Sequence, residues 1–208
     1  MTRLGPPPLV CLITPGKANS ENYTSESIGI LDTVSGAVKD GVSMVQIREK
    51  DLPAKLLFEL VRDAVNISRN SSTLIMVNDR ADVAAAAGAS GVHLPENSLR
   101  PRVVRSAFDH LVIGRSVHSV DGARRAVDDG ADYIFFAPVF ETLGKGSAVG
   151  LEALAHVCGM VSGIPVIALG GIDASNCKQA VEAGAGGIAA IRSLNDRESR
   201  QRILAAVR

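Results

Sequence analysis

Eight short β-rich runs recur along the chain, each followed by a helical pattern, and this alternation constrains the fold more than any other feature of the sequence. The runs are Leu9–Thr14, Met44–Glu49, Leu74–Asp79, Gly91–Leu94, Leu111–Ser116, Tyr133–Val139, Pro165–Gly170 and Gly187–Ile191. Most are continuous apolar stretches rather than alternating ones, which is the pattern of parallel strands covered on both faces. Helical patterns cover Ser27–Lys39, Pro53–Ser68, Arg80–Ala87, Arg100–Phe108, Val120–Asp129, Leu151–Val161, Ala174–Ala183 and Asp196–Val207. Asp51-Leu52 before Pro53 and Asn97-Ser98 before Arg100 supply start signals, and Gly130 supplies a stop.

The helix-to-strand links share one theme: Lys39-Asp-Gly-Val, Ala87-Gly-Ala-Ser-Gly-Val, Asp129-Gly-Ala-Asp-Tyr and Ala183-Gly-Ala-Gly-Gly-Ile. Each is a glycine stop followed almost at once by a strand. Four such links and eight strand signals predict a single-domain (β/α)₈ barrel over residues 1–208, near the short end of the size range for that fold. The competing architecture is an open doubly wound sheet. It places a GxGxxG loop after its first strand, and Thr14-Pro-Gly-Lys-Ala lacks that spacing.

Composition narrows the function. Lys+Arg and Asp+Glu both number 22, a formal net charge of zero, so no diffuse field draws in nucleic acid or an anionic membrane. Aromatics are 3% of residues and tryptophan is absent, which disfavours stacking on single-stranded nucleic acid. An anionic small molecule must therefore be met by a local cluster of donors. Cys11, Cys158 and Cys177 are far apart and read as reduced thiols, with Cys177 expected to be the more exposed. No leader pattern and no membrane-spanning run is apparent, so a cytoplasmic location is expected, with homo-oligomerisation left open.

In a (β/α)₈ barrel the C-terminal strand ends converge on one face, and here those ends are rich in polar residues. Gln46, Arg48 and Lys50 are spaced two apart on strand two, so they face the same way and form a candidate anion clamp. The competing reading of Arg48-Glu49-Lys50 is a solvated charge run. Asn78 and Asp79 end strand three, with Asp79 either a Mg²⁺ ligand or the cap of the next helix. His93 ends strand four, and Ser116 and His118 end strand five; the two histidines are acid/base candidates. The loop after strand six carries Glu141, Thr142 and Lys145, the last in a Gly144-Lys-Gly-Ser stretch that reads as a phosphate lid or as a plain exposed loop. Gly170-Gly171 and Arg192-Ser193, after strands seven and eight, lie where barrels commonly bind phosphate. Ordinary turn chemistry also accounts for those glycines.

Taken together, Gln46-x-Arg48-Glu49-Lys50, Val77-Asn78-Asp79, Gly91-Val-His93-Leu, Gly114-Arg-Ser116-Val-His118-Ser, Asp132-Tyr-Ile-Phe-Phe-Ala-Pro138-Val-Phe, Lys145 and Pro165-Val-Ile-Ala-Leu-Gly-Gly-Ile resemble the thiamine phosphate synthase/thiazole tautomerase superfamily. The resemblance covers nearly the whole chain. In its synthase branch it implies coupling of hydroxymethylpyrimidine diphosphate to thiazole phosphate with release of pyrophosphate. It implies Gln46, Arg48, Lys50, Asn78, Ser116 and Lys145 as diphosphate-side contacts, Thr142 and Gly171 as thiazole-phosphate contacts, and Asp79 as a Mg²⁺ ligand. Ser98 stands where that branch has a second carboxylate for the metal. The tautomerase branch implies proton transfer on a thiazole carboxylate phosphate, but Pro138 stands where it has its acid/base histidine, leaving His93, His118 or Glu141 for that task. The synthase is the expected activity. Thiazole tautomerase, and a non-catalytic thiazole or thiamine phosphate binder, are the alternatives.

Overall fold

The computed structural model describes residues 4–142 and 147–208. Within them, β1 (Leu9–Ile13), β2 (Met44–Ile47), β3 (Leu74–Asn78), β4 (Gly91–Leu94), β5 (Val112–Val117), β6 (Tyr133–Phe136), β7 (Val166–Leu169) and β8 (Gly187–Ala190) close into a barrel in chain order. Every neighbouring pair is parallel, including β1 with β8, so no edge strand is left. The helices are α1 (Tyr23–Asp40), α2 (Ala54–Ser68), α3 (Ala81–Ala86), α4 (Pro101–Ala107), α5 (Val120–Asp128), α6 (Gly150–Met160), α7 (Cys177–Glu182), α8 (Arg192–Asn195) and α9 (Arg197–Val207). The expected (β/α)₈ barrel is the observed fold.

Strand parity divides the apolar residues into two cores. One set, including Leu12, Val45, Ile75, Val92, Ile134 and Ile188, faces outward and packs under the helices. The alternate set, including Leu9, Cys11, Met44, Met76, Tyr133 and Phe135, fills the barrel interior. Because both faces of each strand are buried, the runs read as continuous apolar sequence.

Several element bounds, and the exposure of one cysteine, differ from the sequence reading. Helix α1 starts at Tyr23 rather than Ser27, because Asn19 and Asn22 form a reciprocal turn: the Asn19 N–H donates to Asn22 Oδ1 at 2.7 Å and the Asn22 N–H to Asn19 Oδ1 at 3.2 Å. A short α8 precedes α9, because Asp196 breaks the helix and caps α9 by accepting the Ser199 N–H at 2.8 Å. Cys177 is fully buried, since the first turn of α7 faces the sheet. Burial pushes its thiol pKa up, and it raises that of Cys158 to about 11.

Candidate functional site

The interior core changes character toward the C-terminal strand ends. Along β2 the inward side chains run Met44, Gln46, Arg48; along β3 they run Leu74, Met76, Asn78. His93 and Ser116 continue this polar upper layer on β4 and β5. Above it opens a cavity of about 420 Å³ lined by residues that include Gln46, Arg48, Lys50, Asn78, Ser116 and His118. The two-residue spacing on β2 thus does bring Gln46, Arg48 and Lys50 to one space.

Gln46 is buried and donates from Nε2 to Asn78 Oδ1 at 3.2 Å, while its buried Oε1 has no hydrogen-bond partner among the described residues. A buried acceptor left unpaired costs free energy, so this atom points to a ligand that brings a donor. Arg48 is held by its backbone: its N–H donates to Thr14 Oγ1 at 2.8 Å, and that hydroxyl donates to Glu49 Oε1 at 2.6 Å. Glu49 also accepts the N–H groups of Gly16 at 3.0 Å and Ala18 at 2.8 Å. The reading of Arg48-Glu49-Lys50 as a solvated run therefore fails at its centre. Glu49 is buried and fastens the β1–α1 loop to β2, which orients its two cationic neighbours.

His93 is 2% exposed. Its ring stacks on Phe135 with centroids 4.1 Å apart, its Nδ1 lies 3.1 Å from the Tyr133 hydroxyl, and its Nε2 lies 2.8 Å from Ser116 Oγ. Burial, with the nearby Arg115 cation, pushes its pKa down to about 3. His93 is thus neutral at physiological pH, which weighs against the acid role expected of it. Tyr133 was not among the sequence candidates. Its inward parity with Phe135 was the available signal, hidden because Tyr-Ile-Phe-Phe reads as plain core.

His118 keeps an acid/base geometry. It lies exposed at the rim, with Nδ1 2.6 Å from the Ala137 carbonyl and Nε2 3.7 Å from the Glu96 carboxylate. Because a carbonyl only accepts, Nδ1 carries a proton, and Nε2 is the nitrogen free to take one up.

Asp79 adopts a left-handed backbone conformation, φ 63°, and its N–H donates to the His93 carbonyl at 2.9 Å. The Ser98 hydroxyl donates to Asp79 Oδ1. Ser98 sits on a loop pinned by Arg115, which donates to the carbonyls of Glu96 and Leu99, each at 2.6 Å. Asp79 faces a second recess of about 290 Å³ that shares Lys50, Asn78 and Asn97 with the main cavity. No group of three or more His, Cys, Asp or Glu side chains is placed to hold a metal among the described residues.

The remaining expected residues sit beside the cavity rather than in its wall. Gly170 and Gly171 have φ of 100° and 65°, and they follow Leu169, which lines it. A Cβ on Gly170 would come within 2.7 Å of Pro138 Cα, and one on Gly171 within 2.6 Å of the Glu141 carbonyl. Turn chemistry therefore explains both glycines fully. Thr142 donates to the Phe140 carbonyl at 3.1 Å and Ser193 to the Ile172 carbonyl at 2.7 Å. Glu141 and Arg192 are exposed, and Lys145 lies outside the described residues.

Comparison with known proteins agrees with this geometry. The family model described as thiamine monophosphate synthase matches residues 10–194. A thiamine-phosphate synthase of Roseiflexus sp. is 34% identical over 206 residues, covering 96% of this chain and 84% of that protein. One of Thermus thermophilus is 37% identical over 180 residues, covering 86% and 87%. The solved thiamine phosphate pyrophosphorylase of Pyrococcus furiosus superposes with a TM-score of 0.83 at 29% identity, covering 99% of this chain and 96% of that one. With the barrel, its polar mouth and this sequence match in agreement, the chain belongs to the thiamine monophosphate synthase family.

Proposed function

We propose that this chain is a thiamine phosphate synthase, joining hydroxymethylpyrimidine diphosphate to thiazole phosphate with release of pyrophosphate. The observation that carries the reading is the buried Gln46 Oε1, without a partner among the described residues, in one cavity with Arg48, Lys50 and Asn78. A diphosphate has no donor for that atom, whereas an N–H-bearing heterocycle attached to it supplies one, with the diphosphate against the cations. In the reaction the bond from the pyrimidine's methylene carbon to the diphosphate oxygen breaks, and the lone pair of the thiazole ring nitrogen forms the new C–N bond. Arg48 and Lys50 stabilise the negative charge that grows on the departing diphosphate. Asn78 and Ser116 orient it by hydrogen bonds. Thr142 and Gly171 are assigned to thiazole phosphate and Lys145 to the diphosphate by resemblance, with Gly170, Arg192 and Ser193 as further phosphate contacts from their place after strands seven and eight.

Mg²⁺ fits this site when it arrives with the diphosphate, because that ion is commonly held by one or two carboxylates plus substrate phosphates. Asp79 is the carboxylate present, backed by the Ser98 hydroxyl. When bound, the ion neutralises leaving-group charge. Among the described residues no helix is long and apolar enough to cross a membrane, and a cytoplasmic site of action is part of the proposal.

His118, with its Nε2 open and Glu96 beside it, is the observation that favours the second reading, thiazole tautomerase. Incubation with both synthase substrates and Mg²⁺, beside a thiazole isomerisation assay, separates the two. Thiamine phosphate and pyrophosphate formed in equal amounts support the synthase. Isomerisation without coupling overturns it, and binding without turnover identifies a non-catalytic phosphate binder.

A further inference from the structure

Below the cavity floor, Tyr133, His93 and Ser116 form a chain of hydrogen bonds across three adjacent strands, and the chain fixes where each proton resides. His93 pairs in register with Gly114, and Gly114 with Tyr133. Gly114 is the residue that makes the contact fit, since a Cβ there would occupy the space of the Tyr133 ring and hydroxyl and come within 2.6 Å of His93 Nδ1. Two arrangements satisfy the distances. In one, the Tyr133 O–H donates to Nδ1, Nε2–H donates to Ser116 Oγ, and the Ser116 O–H is free. In the other, Nδ1–H donates to Tyr133, Ser116 donates to Nε2, and the Tyr133 O–H needs an acceptor of its own.

The second arrangement strands a donor. Among the described residues, the Tyr133 hydroxyl has no hydrogen-bond partner other than His93 Nδ1, and it is fully buried in an interior lined by Cys11, Met76, Val112 and Phe135. A buried O–H without an acceptor carries its full desolvation penalty, whereas the Ser116 O–H, at the cavity wall, has room for a partner. Burial also keeps the ring from taking a second proton. We infer that Tyr133 and His93 are positioning residues that lock the imidazole with its proton on Nε2 and so present the Ser116 hydroxyl to the cavity as a hydrogen-bond donor for an anionic oxygen of the substrate. The identity of that oxygen rests on the synthase reading; the tautomer does not. One consequence is chemical. The 2.8 Å contact between Ser116 and His93 resembles a nucleophile and its base, yet Nε2 has no lone pair to accept the serine proton, so Ser116 binds and does not attack.

Nitrogen-15 spectroscopy of the histidine rings tests the lock directly in the unmodified protein, with signals assigned by replacing His110, His118 and His156 in turn. The expected result is one bare and one protonated nitrogen on His93, the proton on Nε2; a proton on Nδ1 overturns the inference. Tyr133→Phe should release the ring, moving both His93 signals toward averaged values. Binding of inorganic pyrophosphate with Mg²⁺, followed by calorimetry, tests the consequence. His93→Leu should weaken it about tenfold, the scale of one hydrogen bond to a charged group, and His93→Gln, which restores an N–H near the Nε2 position, should recover most of that. In a Ser116→Ala background, His93→Leu should add nothing; an additive loss overturns the positioning role. If pyrophosphate does not bind the unmodified protein while Nε2 carries the proton, the synthase reading fails and the tautomer lock stands.

Discussion

The two halves of the barrel mouth prepare for a ligand in opposite ways. Across β2 to β5, polar side chains enter the cavity and their mutual contacts leave groups to spare: Gln46 Oε1 has no partner among the described residues, and Arg48 and Lys50 line the space. Across β6 to β8, three polar side chains are committed to backbone, Thr142 to Phe140, Ser193 to Ile172 and Asn176 Nδ2 to the Gly171 carbonyl at 2.8 Å. What that second half offers is backbone itself, shaped by glycines in the left-handed region. One half offers side-chain charge and the other main-chain shape, the division that the proposed two-substrate synthase would use.

The comparison breaks most readily at Arg48. Arg48→Ala should lower kcat/KM on the order of a hundredfold, the scale of a charge-assisted bidentate contact, with the loss expressed toward the pyrimidine diphosphate. Steady-state kinetics with each substrate varied in turn is the measurement. An equal loss toward both substrates would erase the division between the halves.

On the opposite side, Gly171→Ala combines a positive φ with a Cβ 2.6 Å from the Glu141 carbonyl. It should cost roughly 2–3 kcal/mol of stability in urea unfolding, and in the folded fraction raise KM for thiazole phosphate while leaving the diphosphate side unchanged. A raised KM for the diphosphate instead would mean that the backbone half serves both substrates.

The two halves were also unequally legible in sequence. Strand parity is local, so Gln46, Arg48 and Lys50 could be placed on one face from their spacing alone, and the barrel followed from the repeated glycine stops. Glu49 was opaque because its partners, Thr14, Gly16 and Ala18, lie more than thirty residues earlier, and only the parallel pairing of β1 with β2 across helix α1 brings them together. Tyr133 was opaque for a related reason: its polarity is confined to one oxygen in an apolar run, and the acceptor that explains it lies forty residues away on β4. Gly170 and Gly171 were visible as phosphate-loop candidates, yet their positive φ and tight packing serve the turn, and no sequence pattern separates those two needs.

The side-chain half has an acid-sensitive floor. His93 titrates near 3 in the folded chain against about 6.5 when exposed, so between those values the unfolded state binds the extra proton and stability falls as pH falls. By pH 5 the loss relative to pH 7 should reach about 2 kcal/mol from this residue. Urea unfolding at the two pH values measures it, and His93→Gln should remove that share of the difference. An undiminished loss in His93→Gln would place the acid sensitivity elsewhere.

The smallest expected effect falls at Asp79, the carboxylate proposed to receive Mg²⁺ with the diphosphate. Ser98 donates its hydroxyl to Asp79 Oδ1, an arrangement that leaves one carboxylate with one supporting donor. Ser98→Asp exchanges that donor for a second negative charge on a loop that Arg115 holds in place. Without metal the two carboxylates repel, and the variant should lose up to about 1 kcal/mol of stability, limited by the exposure of Asp79 to solvent. Added Mg²⁺ should restore it, since a divalent ion between two carboxylates converts the repulsion into binding. Thermal melts across a Mg²⁺ titration should therefore show a midpoint that rises in the variant and barely moves in the unmodified protein. Equal responses would separate Ser98 from the metal, and would leave the diphosphate itself as the source of the ligands that Asp79 lacks.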